Sequence, residues 1–118
     1  MPEPQSALEY EVHPAQLRND LDLSRERMAR LMDVSAKTIE RWEHSRVLPA
    51  NVRRRSRLAQ IQQVVELGLT VYTSDGFHRF LRVPLAEFDG RTALQMMEQD
   101  QVDRVVSALA ADYEGLGF

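Results

Sequence analysis

Residues 23–45 read LSRERMARLMDVSAKTIERWEHS, and this stretch decides the fold. Ser24 has the side-chain oxygen that accepts the first free N–H groups of a helix, so it predicts a helix over Arg25–Met32. Met28, Ala29, Leu31 and Met32 then cluster at helical spacing. Asp33 ends that helix, because Asp is among the few residues that tolerate the left-handed conformation of a tight helix-to-helix turn. Ser35 caps a second helix, from Ala36 to about Ser45, in which Ile39 and Trp42 stand three apart and face inward together. The three-residue turn Asp33-Val34-Ser35 and the small Ala29 at the close approach make the pair a helix-turn-helix.

The second helix of such a unit fits the major groove of B-DNA and presents its N-terminal residues to base edges. Here those residues are Ala36, Lys37 and Thr38, with Arg41 one turn later. Lys and Arg donate to guanine O6 and N7, Thr contacts either kind of edge, and an Ala methyl touches a thymine methyl. Arg25, Arg46 and the cluster Arg53, Arg54, Arg55 and Arg57 are candidate phosphate contacts, since neutralising backbone charge supplies much of DNA affinity. A face of a long helix can also carry Arg for solubility alone.

Outward from this centre, Pro14 sits in the first turn of a short helix bearing Leu17 and Leu21, where its missing N–H costs nothing. Residues 1–12 have no apolar period and read as a loose arm. A long helix starts near Asn51 with Leu58, Ile61, Val65 and Leu69 on one stripe. Gly68 weakens it by about 1 kcal/mol relative to Ala, and Thr70, Val71 and Tyr72 suit a strand equally well, leaving its end open. Ser74, Asp75 and Gly76 read as a helix-breaking turn before a short amphipathic piece, Phe77–Leu81. Thr92-x-x-Gln95 is a capping-box pattern, and Asp100 is placed to cap a last helix carrying Val102, Val105, Val106, Leu109 and Tyr113 on one face. Gly115 stops that helix and leaves an apolar hook, Leu116-Gly117-Phe118.

Composition narrows the function classes. With 118 residues, 43% hydrophobic and 28% charged, the chain is one compact domain or two very small ones. Cys is 0, which excludes a disulfide framework and cysteine-ligated zinc and fits a reducing compartment. The absence of a long apolar run and of a leader-like N-terminus leads to the expectation of a soluble cytoplasmic protein with no membrane contact. The net charge of −3 hides an asymmetry: residues 18–57 carry eleven basic side chains against six acidic, and residues 58–118 carry four against nine. A basic middle suits phosphate, and an acidic tail suits a different partner. His13, His44 and His78 have no i, i+4 spacing, so no metal site is expected, and no phosphate loop or nucleophile motif stands out. The expectation is a binding protein, not an enzyme, with no cofactor. The pairs Met28/Met32 and Met96/Met97 read as core filler.

At these residues a resemblance can be stated. LSRERMARLMDVSAKTIERWEHSRVLP resembles the helix-turn-helix of the Xre family of phage-type repressors, over about residues 13–57. In that family an Arg of the first helix pairs with the Glu that follows the anchor of the third, which implies a structural ion pair between Arg18 and Glu43. Asp33 and Ser45 stand where the family often has Gly, and Glu40 places an acid on the recognition helix. FLRVPLAEFDGRTALQMMEQDQVDRVVSALAADYEG, residues 80–115, is similar to the toxin-binding domain of Xre/MbcA/ParS-type antitoxins, with Ala93 in place of a Pro. The resemblance implies an all-α antitoxin with three parts: an arm (1–12), a DNA-binding helix-turn-helix (13–57) and a toxin-binding and dimerisation region (58–118). It further implies that the partner is a RES-domain toxin that consumes or transfers from NAD, blocked by a tail comprising Tyr113, Gly115, Leu116, Gly117 and Phe118. The expected DNA partner is a double-stranded operator bound by a homodimer, because one such module touches little DNA. The alternative is a stand-alone transcription regulator whose C-terminal region merely dimerises it, and the alternative for the tail is that it folds back onto its own domain.

Overall fold

A computed structural model describes residues 12–45 and 47–116, and over these the chain is all-helical. Seven α-helices follow one another: α1 (Pro14–Leu21), α2 (Arg25–Met32), α3 (Ala36–Ser45), α4 (Val52–Val71), α5 (Ser74–Arg82), α6 (Ala93–Glu98) and α7 (Val102–Gly115). A short 3-10 turn, Ala86–Phe88, lies between α5 and α6.

The helix boundaries follow from local chemistry. Ser24 Oγ accepts from Arg27 N–H at 3.1 Å and opens α2. At the other end Asp33 adopts φ 57°, and Val34 N–H closes back on Ala29 O at 3.0 Å. The turn after α1 is built the same way, with Asp22 at φ 57° and Leu23 N–H on Arg18 O at 3.1 Å. Asp89 and Asp100 take the left-handed conformation as well, at φ 58° and 65°. Asp100 therefore turns the chain between α6 and α7 and does not cap α7, whose N-cap is Gln101.

The end of α4, left open by the sequence, is defined, and the readings of Leu69, of Ser74–Gly76 and of Gly115 are corrected. Helix α4 runs through Thr70 to Val71 and becomes extended only at Tyr72. Its apolar stripe ends on Val64, Val65 and Gly68, while Leu69 is 37% exposed. Gly68 is required by packing: a Cβ there would lie 2.1 Å from Cε1 of Phe77, a fully buried ring. Ser74, Asp75 and Gly76 are not a break but the first turn of α5, opened by Thr73 Oγ1 accepting from Gly76 N–H at 3.1 Å. The break is Thr73 itself, a helix N-cap immediately after an extended residue. The capping box at α6 is present in both directions, Gln95 N–H to Thr92 Oγ1 at 3.1 Å and Thr92 N–H to Gln95 Oε1 at 2.8 Å. Gly115 is the last residue of α7 and has no left-handed conformation, so α7 does not end in a glycine cap.

One core joins the elements. It runs from Leu17 and Leu21 through Met28, Leu31, Ile39 and Trp42 to Leu58, Ile61, Phe77, Phe88, Met97, Val105 and Leu109. Both methionine pairs are part of it. Helix α4 packs along α7, α6 lies against α2 and α7, and α5 reaches back to α1. The last contact is pinned by Arg82, which donates to Leu21 O at 2.9 Å and Asp22 O at 2.7 Å, and by the His78 ring, whose Nε2 is 2.9 Å from Asp20 O. Leaving those carbonyls unmet at a helix end would carry a desolvation penalty.

Candidate nucleic-acid interface

Helix α3 has two unlike faces. Ile39 and Trp42 are buried at 1% and 4% exposure, and they hold the helix against α1 and α2. At 3.6 residues per turn, Lys37, Glu40, Arg41 and His44 fall on the opposite side, and all four are exposed. Ala36 is half-buried against the core. Thr38, also half-buried, is tied into the helix start, with its N–H on Ser35 Oγ at 3.1 Å and the two hydroxyls 3.0 Å apart. Of the four residues expected to meet bases, Lys37 and Arg41 thus stand on the outward face, while Ala36 and Thr38 sit at its edge.

The orientation of α3 is fixed by a carboxylate. Glu43, its side chain 5% exposed, accepts from Arg18 Nε at 2.6 Å and Nη2 at 3.2 Å, and from Arg25 Nε at 3.1 Å. Arg18 also donates to Leu23 O at 3.1 Å, so one guanidinium holds the α1–α2 turn and α3 together. Burial pushes the Glu43 carboxyl up, but hydrogen bonds from Arg18 and Arg25 and their positive charge outweigh it and hold the group below the ordinary carboxylate range. The hydrogen bond to Glu43 correspondingly raises Arg18, against the opposing effect of burial. Arg25, offered by its sequence position as a phosphate contact, is therefore a ligand of Glu43 with 47% of its side chain still exposed.

The arginines at the start of α4 divide. Arg53 and Arg55 are exposed. Arg54 is half-buried and donates to Asp33 O at 3.3 Å. Arg57 is drawn inward: Nη1 donates to Leu31 O at 2.8 Å and Met97 O at 3.0 Å, and Nη2 meets Asp100 Oδ1 at 2.8 Å. It thereby ties α4 to the ends of α2 and α6, a role the sequence reading missed. The signal was present, because Arg54 and Arg57 stand four residues before the buried Leu58 and Ile61, whereas Arg53 and Arg55 have no buried residue four positions on. A second tie was also missed: Arg27 Nε lies 2.5 Å from Glu98 Oε2, again between α2 and α6. Arg46 lies outside the described residues.

Between α3 and the start of α4 is a shallow hollow lined by Ser35, Thr38, Arg41, Trp42, Asn51 and Arg54. Lys37, Arg41, Arg53 and Arg55 give this end of the molecule exposed cations.

At the far end of the molecule, Tyr113 and Leu116 are 36% and 51% exposed, and a Cβ added at Gly115 would meet nothing within 4 Å. Gly117 and Phe118, the rest of the expected hook, lie outside the described residues. Beside them Tyr72 donates to Asp112 Oδ2 at 3.0 Å and stacks on Phe80 with ring centres 5.5 Å apart. Burial and the neighbouring Asp112 carboxylate push the Tyr72 hydroxyl above its ordinary value. Among the described residues no group of His, Asp and Glu is placed to hold a metal ion, and no helix is long and apolar enough to cross a membrane.

No family model matches the chain, and no curated protein matches it. Among solved structures, a chain in the crystal structure of the M. tuberculosis MbcT-MbcA toxin-antitoxin complex matches with a TM-score of 0.71 at 20% identity. The match covers 86% of this chain and 91% of that one, so the likeness is of most of the fold.

Proposed function

We propose that this chain is an antitoxin: it binds a double-stranded operator through α3 and the start of α4, and restrains a RES-domain toxin through its C-terminal end. The observation that carries the reading is the shared fold with a chain of a toxin–antitoxin complex over nine-tenths of that chain's length. The exposed Lys37 and Arg41 on an anchored α3, with Arg53 and Arg55 nearby, support the DNA half. Binding, not catalysis, is the activity.

Two measurements test the two halves separately. In titrations of the operator region of its own gene, Lys37→Ala and Arg41→Ala each weaken binding by about 1–3 kcal/mol and relax base preference. Wild-type affinity in both variants removes α3 from the interface. Co-expression with the product of the adjacent gene is expected to restore growth that this product alone arrests, and co-purification of the two proteins should follow. An adjacent product that is harmless alone and does not co-purify returns the chain to a stand-alone regulator.

A further inference from the structure

The outward face of α3 contains one residue that a purely electrostatic DNA contact would not include. Glu40 is exposed and lies between Lys37, one turn before it, and His44, one turn after it. Among the described residues it makes no ion pair and no hydrogen bond, although Lys37, Arg41 and His44 all share its face. The acid that α3 needs for folding is a different one, Glu43, which is buried against Arg18 and Arg25. Glu40 therefore contributes nothing visible to the fold, and a bare carboxylate facing a polyanion is repelled. That repulsion is offset where the carboxylate finds a donor, and in the major groove the carboxylate's match is the exocyclic amine of cytosine.

We propose that Glu40 is a specificity-determining residue, accepting a hydrogen bond from cytosine N4 in each half-site while Lys37 or Arg41 donates to a neighbouring guanine. The inference rests on the DNA half of the function proposed above. Its physical logic is discrimination by penalty: on cytosine the carboxylate is satisfied. On thymine or guanine it faces a carbonyl oxygen, and two acceptors are brought together in a site emptied of water.

Selection of bound sequences from a pool of random duplexes by the full chain tests this, run in parallel for wild type, Glu40→Gln and Glu40→Ala. Both substitutions remove the same charge, so a difference between them cannot come from long-range repulsion. Wild type is expected to show a cytosine preference on the order of tenfold at one position per half-site. Glu40→Gln should move that position toward adenine, whose N6 and N7 match a carboxamide, and Glu40→Ala should leave it without preference. Thermal melting should be unchanged in both, because Glu40 holds nothing in place. Overturning results are a Glu40→Ala selection with wild-type base preferences and uniformly tighter binding, which makes Glu40 only a repulsive charge, or identical shifts in both variants. If wild type selects no duplex at low ionic strength while still neutralising a toxin, the DNA half of the proposed function fails and takes this inference with it.

Discussion

Glu43 shows how one residue sets the geometry of a surface it does not belong to. Its carboxyl is held below the ordinary range even though it is 5% exposed, because two guanidinium groups reach it. A carboxylate depressed in this way adds stability that is fully present above its unfolded pKa, about 4.3, and is lost as pH falls through the folded value. Melting temperatures of wild type and Glu43→Gln should therefore differ most near neutral pH and converge in acid; a gap that persists unchanged at low pH would show that the charge is irrelevant. Arg18→Ala strands the buried carboxylate with Arg25 alone, and urea denaturation should show a loss of about 3 kcal/mol, the lower end for breaking a buried pair. A second residue acts through absence. Replacing Gly68 by Ala should gain about 1 kcal/mol of helix propensity, yet it drives a methyl to 2.1 Å from Phe77, and overpacking of this kind costs about 1–3 kcal/mol. The expected net result, read from the same denaturation curves, is a less stable protein, whereas a more stable one would mean the Phe77 ring can move aside.

At the level of elements, what could be read from sequence was whatever short-range chemistry determines. Helices α2 and α3, their serine starts and the capping box at Thr92 depend on contacts three or four residues apart, and those are visible in a string of letters. Asp33 was legible as a turn for the same reason. Gly68 and the segment Ser74–Gly76 were not, because a glycine inside a helix and a polar triplet usually mark loops; here a ring nine residues away fills the space over Gly68, and Thr73 starts α5 early. The arginines of α4 show the limit most clearly. Arg57 is set apart from Arg53 in sequence only by the buried Ile61 four residues later, and the partners themselves, carbonyls of two other helices, are not visible there. The two should separate by experiment. Arg57→Ala leaves Leu31 O, Met97 O and Asp100 without their donor and is expected to destabilise the fold by about 2 kcal/mol, while Arg53→Ala leaves stability within about 0.5 kcal/mol. On operator DNA, Arg53→Ala should lower the dependence of log affinity on log salt by about one unit if it meets one phosphate. An unchanged slope, measured over several salt concentrations, would make Arg53 a solubilising charge.

Taken as a whole, the molecule separates two kinds of surface across one continuous core. The cationic end formed by α3 and the start of α4 is joined to the C-terminal helices through Arg57, through Arg27 with Glu98, and by the packing of α4 along α7. Leu109 is the final buried side chain of α7, and beyond it Tyr113, Gly115 and Leu116 are exposed. Apolar side chains at the surface of a chain this small, where core material is scarce, are available for association. Deleting Gly115–Phe118 should leave the melting temperature and operator affinity within error of wild type, since Gly115 and Leu116 are exposed and no cation of α3 or α4 is removed. Rescue of growth from the co-expressed toxin should be lost. Full rescue by the truncated chain would place the grip elsewhere on the C-terminal helices, and a large fall in melting temperature would show that the tail packs back onto its own domain.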